Sequence, residues 1–167
     1  MADSNPNQIY APDTGGSVVG TDQDDQIIGS AFADFLDGGS GSDVLDGGDG
    51  DDTLNGGWGS DNDTLTGGAG MDRFEFNFVA DGIEDTSFGA DTITDFSAGD
   101  ILQVHGVGAT ELNPSFSVVG SDTLILVGAG TDHESSILLQ NYQLDENDWF
   151  VGGNTLTIVG TDPDQLF

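Results

Sequence analysis

Residues 38–55 read "GGSGSDVLDGGDGDDTLN", nine residues followed by nearly the same nine. The same register extends outward. It gives "GTDQDDQII" (20–28) and "GSAFADFLD" (29–37) on one side, and "GGWGSDNDTLT" (56–66) and "GGAGMDRFE" (67–75) on the other. Aspartate holds the sixth place in Asp25, Asp34, Asp43, Asp52 and Asp72, and either Asp61 or Asp63 holds it in the unit that is two residues longer. A large apolar residue follows two places later: Ile27, Leu36, Leu45, Leu54, Leu65 and Phe74.

The composition sharpens the pattern. Of 167 residues, 31 are acidic and one, Arg73, is basic. The acids are 26 Asp and 5 Glu, which favours turns and ligands over helices. A net charge of −30 opposes compaction unless cations neutralise it. It excludes nucleic acid and anionic membrane surfaces as partners. There is no cysteine, as suits either a cytosolic protein or a secreted one stapled by metal instead of disulfides. The polar start "MADSNPNQIYAPDTGG" lacks the basic and apolar regions of a classical signal peptide, and no run of 18 apolar residues predicts a membrane span.

Within a unit, "GGxGx" is too rich in glycine for helix and reads as a turn with positions open to positive φ. The three residues after the aspartate form a short strand with one side chain pointing inward. One inward residue in nine is a thin core, so units must stack to bury it. Stacking lines up the aspartates into a repelling column. A hard cation that takes six to eight oxygens, from carboxylates and carbonyls together, resolves that conflict. A disordered acidic linker would have no reason to place Leu or Ile at every ninth residue, and a merely salt-adapted surface would scatter its acids.

The pattern G-G-x-G-x-D-x-U-x resembles the calcium-binding nonapeptide repeat of RTX (repeats-in-toxin) proteins. The resemblance implies an all-β fold: a parallel β-roll, β-helix-like, with two repeats per coil. It implies several Ca²⁺ ions held between repeats 1 and 3, 3 and 5, 2 and 4, and 4 and 6. Asp25, Asp34, Asp43, Asp52, Asp61 or Asp63, and Asp72 would be the carboxylate ligands. Carbonyl ligands would come from the turns near Gly39 and Gly41, Gly48 and Gly50, Gly57 and Gly59, and Gly68 and Gly70. Repeats 1 and 2, "GTDQDD" and "GSAFAD", depart from the pattern. They keep the aspartate but lack the glycine pair, and read as weak sites or a starting cap.

After Phe74 the nine-residue period ends. "FEFNFV" (74–79) alternates as a half-buried strand. "DTITDFSAGDILQV" (91–104) is similar to a segment that follows the roll in the same family. Asp91, Asp95 and Asp100 there are candidates for one more cation, and the plainer reading is strand, turn at "SAGD", strand, with Asp91 and Asp100 as candidate ligands. "SFSVVG", "DTLILVG" and "SSILLQNY" (115–142) and "NTLTIVG" (154–160) read as strands, the first three pairing antiparallel. They predict an antiparallel, β-sandwich-like C-terminal cap. The expected domains are an N-terminal extension at 1–18, the roll at 19–75, the cap at 76–160, and a tail at 161–167 that is a candidate export signal.

The catalytic signatures of the family's enzymes are not in this sequence. It has two histidines, His105 and His133, and neither H-E-x-x-H nor G-x-S-x-G. His105 is expected at a strand end and His133 in an exposed turn. The expectation is a non-enzymatic, secreted calcium-binding protein, exported by a type I secretion apparatus, whose folding depends on Ca²⁺. The alternative is a calcium-dependent module that binds a polysaccharide or cell surface, as beside alginate-modifying enzymes. An ice-binding face would need rows of Thr or Asn, and only Thr21 stands in such a place.

Overall fold

Each residue triplet after a sixth-place aspartate runs extended, and its middle side chain, at the eighth place, points inward. Successive triplets lie in two facing sheets. The protein is described by a computed structural model covering residues 7–79, 88–107, 112, 114–128, 135–145, 148–152 and 154–161. His133, residues 1–6 and the tail 162–167 lie outside the described residues. Among the described residues all regular elements are strands, and no helix is long and apolar enough to cross a membrane.

The first sheet begins with five parallel strands: β1 (Asn7–Tyr10), β3 (Asp25–Ser30), β5 (Val44–Asp49), β7 (Thr64–Ala69) and β9 (Ala90–Ile93). Next comes β13 (Ser135–Leu139), parallel to β9, followed by the antiparallel β12 (Asp122–Val127) and β11 (Ser115–Val119). The second sheet stacks β2 (Ser17–Val19), β4 (Phe35–Asp37), β6 (Thr53–Asn55), β8 (Arg73–Val79) and β10 (Ile101–Val107) in parallel. It ends with the antiparallel β15 (Thr155–Val159) and β14 (Trp149–Gly152). The chain changes sheet at each glycine turn, so one coil consumes two repeats. Repeats 1, 3 and 5 share the first sheet, and repeats 2, 4 and 6 the second. This is a parallel β-roll with an antiparallel, sandwich-like end.

The register produces two apolar columns. Ile9, Ile27, Leu45, Leu65, Ile93 and Leu139 stack in the first sheet. Val18, Leu36, Leu54, Phe74, Leu102 and Ile158 stack in the second. Ile27, Leu36, Leu45, Leu54, Leu65 and Phe74, the six marked by the repeat, are fully buried. Each such side chain contributes about 1.5–3 kcal/mol relative to exposure, and the two columns form one core.

The stacking runs beyond the nine-residue spacing at both ends. Residues 7–19, set apart in the sequence as part of an extension, supply β1 and β2, which pair with the first repeats. After Phe74, β9 and β10 continue both columns. "FEFNFV" is the strand expected, with Phe74 and Phe76 buried. The turn at "SAGD" is closed by the Asp100 amide donating to the Ser97 carbonyl at 3.2 Å. The cap strands extend the same two sheets, and aromatic contacts join roll to cap: Phe74 to Phe96 at 6.0 Å and Phe96 edge-on to Tyr142 at 5.0 Å.

A central column residue has no substitute. Leu54→Ala should destabilise the folded, calcium-supplied protein by about 2–5 kcal/mol. Val44→Ala, at a strand position that is 44% exposed, should cost about 0.5 kcal/mol or less. Denaturant unfolding of both variants in excess calcium measures the difference, and equal losses would contradict the column.

Candidate metal centre

The sixth-place aspartates are buried although acidic, with Asp25, Asp43, Asp52 and Asp72 no more than 2% exposed. The reason is a hydrogen bond that repeats from coil to coil. From the second coil on, Oδ1 of each aspartate accepts the backbone amide of the aspartate one coil earlier; Asp34 accepts the Gly16 amide instead, and Asp25 Oδ1 is buried without a partner. Along one edge of the roll, Asp43 accepts from Asp25 (2.8 Å), Asp63 from Asp43 (2.8 Å) and Asp91 from Asp63 (2.9 Å). Along the other, Asp34 accepts from Gly16 (2.7 Å), Asp52 from Asp34 (2.7 Å), Asp72 from Asp52 (3.0 Å) and Asp100 from Asp72 (2.9 Å).

These ladders sort the candidates. Of the two aspartates in the long unit, Asp63 is in register and buried, while Asp61 lies exposed on the inserted turn. Asp91 and Asp100 are the next rungs after Asp63 and Asp72. Asp95 is not a rung: its two oxygens accept the amides of Gly67 (2.9 Å) and Gly68 (2.8 Å). Arg73, half-buried, donates Nη1 to Gln103 Oε1 at 2.6 Å. His105 sits inside β10, not at its end, with Nδ1 3.4 Å from Thr155 Oγ1.

The glycines named from the sequence, at the second and fourth places of repeats 3 to 6, all have positive φ. At Gly57, with φ +120°, an added Cβ would also lie 2.1 Å from the Gly39 carbonyl oxygen of the neighbouring coil. The first-place glycine has a role that sequence reasoning missed. A Cβ on Gly38, Gly47, Gly56 or Gly67 would come within 2.2–2.4 Å of Oδ2 of that turn's own aspartate. The carboxylate folds back over this glycine, and the signal was visible as a glycine opening every unit. A second set of inter-coil bonds was also missed, because its residue type varies. At the fifth place, Asp24 Oδ1 accepts the Ser42 amide (3.0 Å), Asn62 Oδ1 the Ala90 amide (3.0 Å) and Asp51 Oδ1 the Met71 amide (2.9 Å).

With Oδ1 occupied, the other oxygen decides the chemistry. Oδ2 of Asp43, Asp52 and Asp91 is buried without a hydrogen-bond partner. Burial raises the pKa of these groups above the usual carboxylate range, and neighbouring carboxylates add to the rise while the accepted amide offsets part of it. Asp43 is pushed up to about 7, Asp63 and Asp72 to about 6, and Asp91 to about 8. Among the described residues, no three acidic or histidine side chains converge on one point, because the aspartates are spaced one coil apart. A cation between coils would therefore complete its shell with turn carbonyls. That donor set, all oxygen and partly backbone, suits Ca²⁺, and the bare carboxylate oxygens fit it.

A two-sheet parallel roll edged by buried aspartate ladders defines a class of cation-stapled repeat protein. The RTX calcium-binding nonapeptide repeat, in four copies, matches residues 19–54, 28–62 and 59–82. Over these residues the chain is similar to that repeat family. No curated protein matches the chain. Chains of solved structures do, 23 of them. One is the AlgE6R3 subunit from the Azotobacter vinelandii mannuronan C5-epimerase, at 27% identity over 82% of this chain and 78% of that one, with a TM-score of 0.43.

The raised pKa values set a pH dependence with a definite sign. In the metal-free fold these aspartates favour the protonated form, so their contribution to stability is complete below the usual aspartate pKa and is lost as pH rises through about 6 to 8. In chelator, the melting temperature should fall between pH 5 and pH 8. In calcium it should rise over the same range, because the cation needs the ionised groups. Thermal melts at both conditions measure this, and a flat profile in chelator would contradict it.

Proposed function

We propose that this chain is a secreted calcium-binding protein whose roll folds when several Ca²⁺ ions enter the aspartate ladders. The observation that carries the reading is the set of buried, unpartnered Oδ2 atoms on Asp43, Asp52 and Asp91. Asp43, Asp52, Asp63, Asp72 and Asp91 supply carboxylate oxygens. The turns around Gly39, Gly41, Gly48, Gly50, Gly57, Gly59, Gly68 and Gly70 supply carbonyls. The bound ion supplies positive charge and a rigid oxygen shell. The first-place glycines let the carboxylates reach back into the turn, and the two apolar columns hold the coils in register.

The mechanism is coupled folding. Extracellular calcium modules have Kd values of about 10⁻⁴–10⁻³ M, far above cytosolic calcium. Inside the cell the acidic chain stays open, ready for export by a type I apparatus, with the tail at 161–167 as its signal. Outside, each site at several times its Kd adds about 1–2 kcal/mol, and several sites together match the stability of a typical domain.

A second reading, binding of a polysaccharide or cell surface, is favoured by an open cleft of about 620 Å³ in the cap, lined by Phe96, Asn141, Tyr142, Gln143, Asp145 and other groups. Retention on a polysaccharide column in calcium and release in chelator would support it.

Circular dichroism of the metal-stripped chain during calcium titration tests the main reading. The expected result is a cooperative gain of β signal between about 0.1 and a few millimolar calcium, with none in magnesium. Asp52→Asn, which retains an oxygen for the Asp34 amide but loses the charge, should shift the midpoint several-fold upward. A chain folded in chelator and unmoved by calcium would overturn the reading.

A further inference from the structure

The ladder aspartates are not equivalent. In the turn 20–25, Thr21 donates both its amide (2.6 Å) and its hydroxyl (2.9 Å) to Oδ2 of Asp25. In the turn 29–34, Ser30 does the same to Asp34, at 2.7 and 2.8 Å. Both residues occupy the second place of their repeat. In the other four repeats that place is Gly39, Gly48, Gly57 or Gly68, at φ between +97° and +120°. The positive φ turns the amide elsewhere: Gly39 donates to Asp37 Oδ1 (3.1 Å), Gly57 to Asn55 Oδ1 (2.9 Å) and Gly68 to Asp95 Oδ2 (2.8 Å). Among the described residues, Oδ2 of Asp43 and of Asp52 then receives no hydrogen bond although it is buried.

We infer that the second-place residue selects which turns take a cation: glycine leaves Oδ2 of the aspartate open, whereas Thr21 and Ser30 fill it from within the chain, so that of the first two rungs only Asp25 keeps a bare buried oxygen, its Oδ1. The inference rests on the calcium reading above. The physical basis is direct. Ser and Thr rarely adopt positive φ, so their amide stays aimed at their own aspartate. Two donors on one carboxylate oxygen use both its lone pairs, and their hydrogens present positive charge where a cation would sit. The same device closes the far end of one ladder, where Ser97 donates its amide (2.7 Å) and hydroxyl (3.1 Å) to Asp100 Oδ2. That ladder is filled at Asp34 and Asp100 and open at Asp52 and Asp72 between them.

Counting Ca²⁺ per chain by native mass spectrometry and equilibrium dialysis of the full chain tests the selector. Thr21→Gly and Ser30→Gly should each raise the count by roughly one ion. Ser30→Ala, which keeps the amide and its φ, should leave the count unchanged. Asparagine scanning avoids dependence on the glycine variants folding. Asp34→Asn should leave the calcium count as in the wild type, and Asp52→Asn should lower it by roughly one. If Asp34→Asn lowers the count as much as Asp52→Asn, or if folded glycine variants gain no ion while the wild type binds calcium, the selector is overturned and the calcium reading stands. A wild-type chain that binds no calcium would overturn both.

Discussion

The rest of the structure depends on one hydrogen bond, from the amide of a sixth-place aspartate to the carboxylate of its counterpart one coil on. It fixes the spacing of coils at the turns, where glycine-rich backbone cannot fix its own course, and it places a carboxylate in every coil at the same height. Hydrogen bonds to charged groups contribute about 1.5–3 kcal/mol each. Carboxylates stacked at the strand spacing of about 4.8 Å repel by about 3–4 kcal/mol per pair at an effective dielectric of about 20. The two effects are of similar size and opposite sign. A fully ionised ladder without counter-charge therefore gains little from its hydrogen bonds, and the fold must either protonate its aspartates or admit cations. The raised pKa values of Asp43, Asp63, Asp72 and Asp91 express the first solution, and the bare Oδ2 atoms are shaped for the second.

The apolar core does not relieve that dependence. Each short repeat strand commits a single eighth-place side chain to the interior, so the columns through Leu45 and Leu54 are one residue wide on each sheet. The core thickens only at the C-terminal end, where Phe74, Phe76, Phe88 and Phe96 meet the antiparallel strands. Apolar burial is thus densest where the repeats end, and electrostatic strain is greatest along the repeats. The cap supplies what the repeats lack, a conventional packed interior against which the last coils can dock.

Much of this was legible because the repeat couples two chemistries in one period. Aspartate at the sixth place and an aliphatic residue at the eighth can both face inward only on stacked turns and strands, so stacking and the buried columns follow from spacing, while the roll and the pairing of alternate repeats were implied by the family resemblance. The sequence left Asp61 and Asp63 open, and the structure puts Asp63 in register, two places before the buried Leu65. Illegible from the period were features whose residues obey geometry without obeying it. β1 and β2 carry "NQIY" and "SVV", with no glycine or repeated aspartate to mark them. Asp91 and Asp100, candidate ligands through the family resemblance and not through the period, extend the ladders across a 28-residue coil, in which spacing is lost but height in the stack is not. The fifth-place bonds use Asp, Ser or Asn indifferently, because any short acceptor reaches the next amide.

The irregular first repeats then acquire a physical meaning. A stack of identical open turns would leave a terminal carboxylate facing no further coil and sharing its cation with no neighbour. Thr21 and Ser30 place two neutral donors each on Oδ2 of Asp25 and Asp34, where the glycine turns leave that oxygen bare. The loss of glycine at those two places is therefore consistent with the ladder chemistry. Charge, backbone sign and side-chain hydroxyl together divide the second ladder into open rungs in the middle and rungs at Asp34 and Asp100 whose Oδ2 the chain itself fills.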